Sequence, residues 1–122
     1  MNIENNIKKI IVLNIYMIQR VYNKKTFYTK FRLPTISERY LIRWQPNHST
    51  CIHGHGGKKC SFYLLKGSLK EKKYIFKHGS LVGNNNNILN KFLDSEYIDD
   101  TIGLHSMHNI SDRPSYSYHI YE

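Results

Sequence analysis

Cysteine is nearly missing from this chain: Cys51 and Cys60 are the only two in 122 residues. That excludes the dense disulfide framework of a small secreted scaffold. A hairpin turning near Gly56 would still set the pair opposite each other, so one disulfide stays open, whereas a cytoplasmic setting would keep both thiols reduced. Acids are scarce too, nine against 18 Lys and Arg, for a formal net charge of +9. Long hydrophobic runs are also lacking. The apolar run Ile10 to Ile18 follows Lys8–Lys9 as a signal peptide would, but Asn14 interrupts it, no small-residue cleavage site follows, and it is too short to span a bilayer. No membrane partner is expected from it. Ile7, Ile11, Ile15, Ile18 and Tyr22 fall on one helical stripe, so residues 1–26 are expected to form an N-terminal amphipathic helix and linker.

What is present points to one small β-rich domain. Hydrophobic residues make up 40% of the chain and ten are tyrosines, a composition that suits pleated, half-buried strands. The basic excess is uneven: residues 1–91 hold all the bases but Arg113, with only Glu4, Glu38 and Glu71 against them, and the six other acids lie in 92–122. A folded domain brings these parts together, and the bases are scattered singly, with no basic groove lined by stacking aromatics. No nucleic-acid partner is therefore expected.

Alternation places the strands. Arg39 to Trp44 puts Tyr40, Ile42 and Trp44 on one face; Thr50 to His55 reads as the next strand after the Pro46–Asn47–His48 turn. Cys60 to Lys66 is apolar and aromatic, and Gly67–Ser68 reads as a hairpin turn into Leu69 to Lys77, with lysines on its outer face. Gly83 and Asn84 to Asn87 read as a loop, and Ile88 to Leu93 as one helical turn. Ile102 to Met107 and Tyr116 to Tyr121 are expected strands, parted by a turn at Asp112–Arg113–Pro114. Short strands with turns between them suggest a β-sandwich or small barrel.

The chemistry concentrates in Cys51 to Cys60. Extended backbone points residues two apart to one face, so His53 and His55 could share one metal ion. A third ligand must come from elsewhere, and His105 is the candidate; a structural zinc site from Cys51, His53, His55 and Cys60 is the alternative. His48, His78 and His108 read as surface histidines.

Three stretches together resemble the cysteine dioxygenase family of cupins. Ile52–His53–Gly54–His55 through Cys60, with Leu64 to Glu71, resembles its first cupin motif; Tyr97 to His105 with Asn109 resembles the second; Ser117–Tyr118–His119–Ile120–Tyr121 resembles its Ser-x-His-x-Tyr strand. Tyr28–Thr29–Lys30 stands where the family carries Tyr-x-Arg. The resemblance covers roughly residues 27–122. It implies an all-β, cupin-like (jelly-roll) small barrel over 27–122, incomplete because the family continues for several strands further.

By that resemblance, His53, His55 and His105 hold Fe(2+), and the substrates are L-cysteine and O2, both oxygen atoms ending on sulfur as cysteine sulfinic acid. Most cupins carry a glutamate ligand where this chain has Cys60, so the ligand set is neutral and suits a substrate that brings its own thiolate charge. Cys60 and Tyr121 match the pair that forms a thioether crosslink, a protein-derived cofactor; Ser117 and His119 would orient that tyrosine, and Tyr28 would offer its hydroxyl near the iron. Lys30 would face the substrate carboxylate with Arg32 as a substitute, and Trp44 would wall the pocket. An ammonium is a point charge where the family's guanidinium grips with two parallel bonds, so weaker or less selective recognition is expected. Gly54 replaces the usual Asp between the first two ligands, on a side chain expected to point away from the metal. The resemblance further implies a cytoplasmic monomer. A dioxygenase of another small thiol, or an inactive truncated metal-binding cupin, remains the alternative.

Overall fold

A computed structural model describes residues 28–122; the expected N-terminal helix and linker of residues 1–26 lie outside the described residues. Eight strands run in order: β1 (Tyr28–Arg32), β2 (Glu38–Trp44), β3 (Cys60–Lys66), β4 (Leu69–Lys77), β5 (Ser80–Leu89), β6 (Ser95–Ile98), β7 (Leu104–Asn109) and β8 (Ser115–Tyr121). They form a five-stranded sheet of order β1-β2-β8-β3-β6 and a three-stranded sheet of order β5-β4-β7. Every pairing among these strands is antiparallel, so the domain is an all-β sandwich of the jelly-roll kind, with no helix among the described residues.

Period-two alternation decides which side chains meet between the sheets. Ile42 and Trp44 of β2, with Cys60, Phe62 and Leu64 of β3, face Leu69 of β4, Leu89 of β5 and Met107 of β7 in one buried cluster. Leu41 and Tyr116 point the other way and close a second cluster with Leu33 and Leu65 on the outer face of the larger sheet. Strands β2 and β3 are therefore packed from both sides.

Four local expectations are corrected. Thr50 to His55 is not a strand. It is a loop pinned along β7 by two isolated bridges, Ser49 to His108 and His53 to His105. Four steps on the loop span three on β7, so a continuous ladder cannot form. Gly67–Ser68 is not a hairpin turn either, because β3 pairs with β6 and β8 whereas β4 pairs with β5 and β7. The chain changes sheets there, and only glycine fits: φ is +91°, and a Cβ would stand 2.1 Å from Ser115 Oγ and 2.9 Å from Ser115 Cα.

The asparagine run is strand, not loop. It lies within β5, and pairing to β4 satisfies its backbone despite the poor strand propensity of Asn. Register shifts between Lys73 and Tyr74, whose partners are Asn85 and Gly83, so Asn84 is the extra residue of a bulge. Ile88 and Leu89 do not begin a helical turn; they end β5, one 59% exposed and the other 2%, as strand alternation requires.

Candidate metal centre and its cavity

Three imidazoles converge. His53 and His55 come from the loop before β3, and His105 from β7. One ligand atom from each lies within 4.8 Å of the others. The backbone brings two of them together directly: His53 N–H donates to His105 O at 2.9 Å, and His105 N–H returns to His53 O at 3.1 Å. The loop beyond is closed by Asp100, whose Oδ2 accepts from Gly57 N–H at 2.7 Å. A Cβ on Gly54 would meet Leu104 Cδ2 at 3.0 Å and Asp100 Oδ1 at 3.6 Å. The turn feeding β7 is tied by Asp99 Oδ1, which accepts from the N–H groups of Thr101 and Ile102 at 2.9 and 3.2 Å.

Ring hydrogen bonds set the tautomers. His53 Nδ1 lies 2.9 Å from Cys51 O, a carbonyl that can only accept, so Nδ1 carries the proton. His105 Nδ1 lies 2.7 Å from Glu71 Oε2 and donates to it. Both Nε2 atoms then present lone pairs, and they face each other at 3.1 Å. Two facing lone pairs repel unless a cation lies against them, so this donor set fits a metal ion. His55 has no such anchor: its Nδ1 is buried without a hydrogen-bond partner among the described residues. Its ring packs 4.7 Å from that of His105 and 5.8 Å from that of Tyr121. Burial, then the neighbouring His105 and His53, lower its pKa to about 4. Burial also lowers His53. Both rings are thus neutral at pH 7, the form a metal ligand needs.

The two cysteines take no part in the cluster, so the four-ligand zinc alternative is not assembled. They form no disulfide: both are free, Cys51 exposed and Cys60 fully buried. Cys60 stands directly opposite Tyr121 across β3 and β8. Burial pushes the Cys60 thiol up to about 12, partly offset by its hydrogen bond with Tyr121. The Tyr121 phenol is likewise raised, first by burial and then by Cys60.

A buried relay leads to this pair. Trp44 Nε1–H donates to Ser117 Oγ at 2.8 Å. Ser117 Oγ lies 2.7 Å from His119 Nε2, and because an indole only donates, the hydroxyl proton goes to that nitrogen. His119 Nδ1–H then points at Cys60 Sγ, 3.9 Å away. Ser117 and His119 are expected to orient Tyr121, and the chain of hydrogen bonds reaches that phenol through the Cys60 thiol. Burial holds His119 well below its ordinary pKa, and its ring stacks on Phe62 at 5.2 Å.

The histidines face a cavity of about 600 Å³ lined also by Tyr28, Lys30, Trp44, Met107, His119 and Tyr121. Lys30 Nζ stands 4.0 Å from the centroid of the Tyr40 ring and 4.9 Å from that of Tyr121, cation over ring, and burial lowers its pKa. Tyr28 and Trp44 rings are 5.4 Å apart. Arg32 is on the Lys30 face of β1 but outside the lining, 6.0 Å from the Tyr40 ring.

Three charged residues of the site escaped the sequence reading. Glu38 and Lys58 line the cavity as an ion pair, and Tyr40 O–H donates to Glu38 Oε1 at 3.0 Å. Glu71, fully buried beside His105, is the third. A signal for Glu71 did exist: an acid two residues after Leu69 falls on the inward face of β4, and a buried charge needs partners.

Residues 17–122 match the family model described as cysteine dioxygenase type I. The chain is 33% identical over 85 residues to cysteine dioxygenase type 1 of Homo sapiens, covering 66% of this chain and 42% of the human protein. It thus spans well under half the length of that relative. Among solved structures it is similar to oxalate oxidase bound to the substrate analogue glycolate (TM-score 0.66, 12% identity, 85% of this chain and 56% of that one). It is also similar to the Drosophila melanogaster CENP-C cupin domain (TM-score 0.60, 16% identity, 78% and 68%). At such identities these two likenesses speak for the cupin fold alone. No helix among the described residues is long and apolar enough to cross a membrane.

Proposed function

The chain belongs to the cysteine dioxygenase type I family, and on that premise we propose that it is an iron-dependent thiol dioxygenase that converts L-cysteine and O2 to cysteine sulfinic acid. One observation carries the reading: three imidazoles converge beside a cavity that also holds a cation, Lys30, and the Cys60–Tyr121 pair. His53, His55 and His105 would hold the ion. When bound, ferrous iron supplies a Lewis-acidic centre that lowers a thiol's pKa and a reductant for dioxygen.

The chain's own residues do the rest. Lys30 pairs with the substrate carboxylate and orients the thiol toward the triad; Trp44 and Met107 exclude water from the cavity floor, and Tyr28 offers its hydroxyl from the rim. Ser117 and His119 hold the Cys60–Tyr121 pair in place, and the phenol can donate a hydrogen bond to an oxygen bound in the cavity. Because the thiol and phenol are opposed across one ladder, a thioether is within reach: the Cys60 S–H and a ring C–H of Tyr121 are lost, an S–C bond forms, and O2 accepts the two electrons and two protons. Intact mass after incubation with iron, cysteine and air should fall by two hydrogens in the reduced protein; an unchanged mass removes the crosslink from the proposal.

The placement of Lys30 favours a second reading, a dioxygenase of another small thiol. Its ammonium rests on two tyrosine rings and has no guanidinium fork to align a carboxylate. Oxygen uptake and sulfinate formation with cysteine, a mercaptocarboxylate and cysteamine, each at equal concentration with ferrous iron, decide between them. Cysteine and the mercaptocarboxylate are expected to exceed cysteamine, and Lys30→Arg should widen the preference by about tenfold, the worth of one charge-assisted hydrogen bond. Equal rates for all three thiols remove Lys30 as the carboxylate partner, and no sulfinate above free iron removes the enzyme.

A further inference from the structure

We propose that Glu71 is the positioning residue of the metal centre: its carboxylate fixes the His105 ring and supplies, through that ring, the negative charge that a ligating carboxylate would supply directly. The inference rests on the reading that His53, His55 and His105 hold a metal.

The sheet puts Glu71 where it can do nothing else. Leu69, Glu71 and Lys73 are the inward positions of β4, and Glu71 has no exposed surface. A carboxylate there is costly unless every oxygen is met. Oε2 accepts from His105 Nδ1–H at 2.7 Å. Oε1 accepts from Asn87 Nδ2 at 3.3 Å and lies 3.5 Å from Lys73 Nζ. Lys73 in turn reaches Glu96 Oε2 at 3.3 Å. Two carboxylates thus share one ammonium, and the charge left over is on the side of His105. An imidazole ligand brings no negative charge, so the surplus matches what a divalent ion needs.

Register makes the arrangement stiff. β4 pairs Glu71 with Met107 and Lys73 with His105, and β5 places Asn87 opposite Glu71. His105 therefore stands on a strand held by a neighbouring strand, whereas His53 and His55 sit on a loop bridged to it. The same network explains the inward asparagine of β5, in a slot that alternation would otherwise fill with an apolar side chain. Asn87 holds the second carboxylate oxygen so that the first stays aimed at His105. A carboxylate one ring removed leaves the remaining coordination positions free for a substrate and a second reactant.

The test uses Co2+ as the probe ion on the full chain, by calorimetric titration of wild type, Glu71→Gln and Asn87→Ala, with the imidazole nitrogen spectrum of metal-free wild type beside it. The spectrum is expected to show the His105 proton on Nδ1. Glu71→Gln, which keeps shape but loses charge, should bind Co2+ about 10–100-fold more weakly, and Asn87→Ala should fall between it and wild type. The proposal is overturned if Glu71→Gln binds within about threefold of wild type, or if the His105 proton is on Nε2, a result that needs no variant to fold. Wild type that takes up no Co2+ at all overturns the metal reading first and this inference with it, so the two failures are distinguishable.

Discussion

His105→Ala should leave a protein that takes up no iron and forms no sulfinate, with turnover down by more than about 100-fold, beyond what the loss of a hydrogen-bonded outer partner costs. The size of the effect follows from the chelate. His53 and His55 alone hold a divalent ion weakly, and among the described residues nothing hydrogen-bonds the buried Nδ1 of His55 to keep its ring in place. His105 is the corner to which the other two close, through its backbone pair with His53 and its ring contacts with both. The substitution also strands Glu71, whose shortest polar contact among the described residues is the 2.7 Å bond to His105 Nδ1. A buried pair deprived of one member typically costs about 3–5 kcal/mol, softened here because Lys73 and Asn87 remain. Loss of iron measured by metal analysis must therefore be read beside a urea unfolding curve. A folded His105→Ala protein that retains iron and turnover would mean that the third ligand lies elsewhere.

Phe62→Ala should cost about 3–5 kcal/mol, a large share of the ~5–15 kcal/mol that holds a domain of this size together. Phe62 is wholly buried in the cluster between the sheets. It stacks on His119 with planes 11° apart and comes within 6.0 Å of the His105 ring, so one side chain backs both the relay and the metal centre. Its partners across the ladders are His119 on β8 and Glu96 on β6. Truncation opens a void against His119, whose ring can then tilt away from Ser117 and Cys60. Urea midpoints give the stability loss, and Phe62→Leu, which keeps most of the volume, should cost under about 1.5 kcal/mol. A loss below about 1 kcal/mol for the alanine variant would mean that the sheets close over the gap and that Phe62 is not the support described.

Part of this was legible from local pattern. In Arg39 to Trp44 alternation assigns faces without knowledge of any partner, because successive side chains of a strand point opposite ways; in Leu69 to Lys77 it leaves the lysines outside, yet Lys73 is buried on the inward face. The same rule failed at Thr50 to His55, where one extra residue against β7 breaks the ladder. It failed again at Asn84 to Asn87, where pairing with β4 overrides a composition that belongs in loops. Gly67 announced a turn in the sequence, yet whether the chain returns beside β3 or crosses to the other sheet depends on Ser115, 48 residues further along the chain.

The sequence by itself determined the strand faces, the pair of histidines two apart, and the residues competent to complete their ligand set, since each is written in residue type and short spacing. Tertiary structure alone decided that His105 reaches them, that Cys60 stands opposite Tyr121 and not Cys51, and that Glu71 and Asn87 stand behind the centre. Those relations depend on register between strands distant in sequence, and a buried charge shows its purpose only when the groups that compensate it are in view.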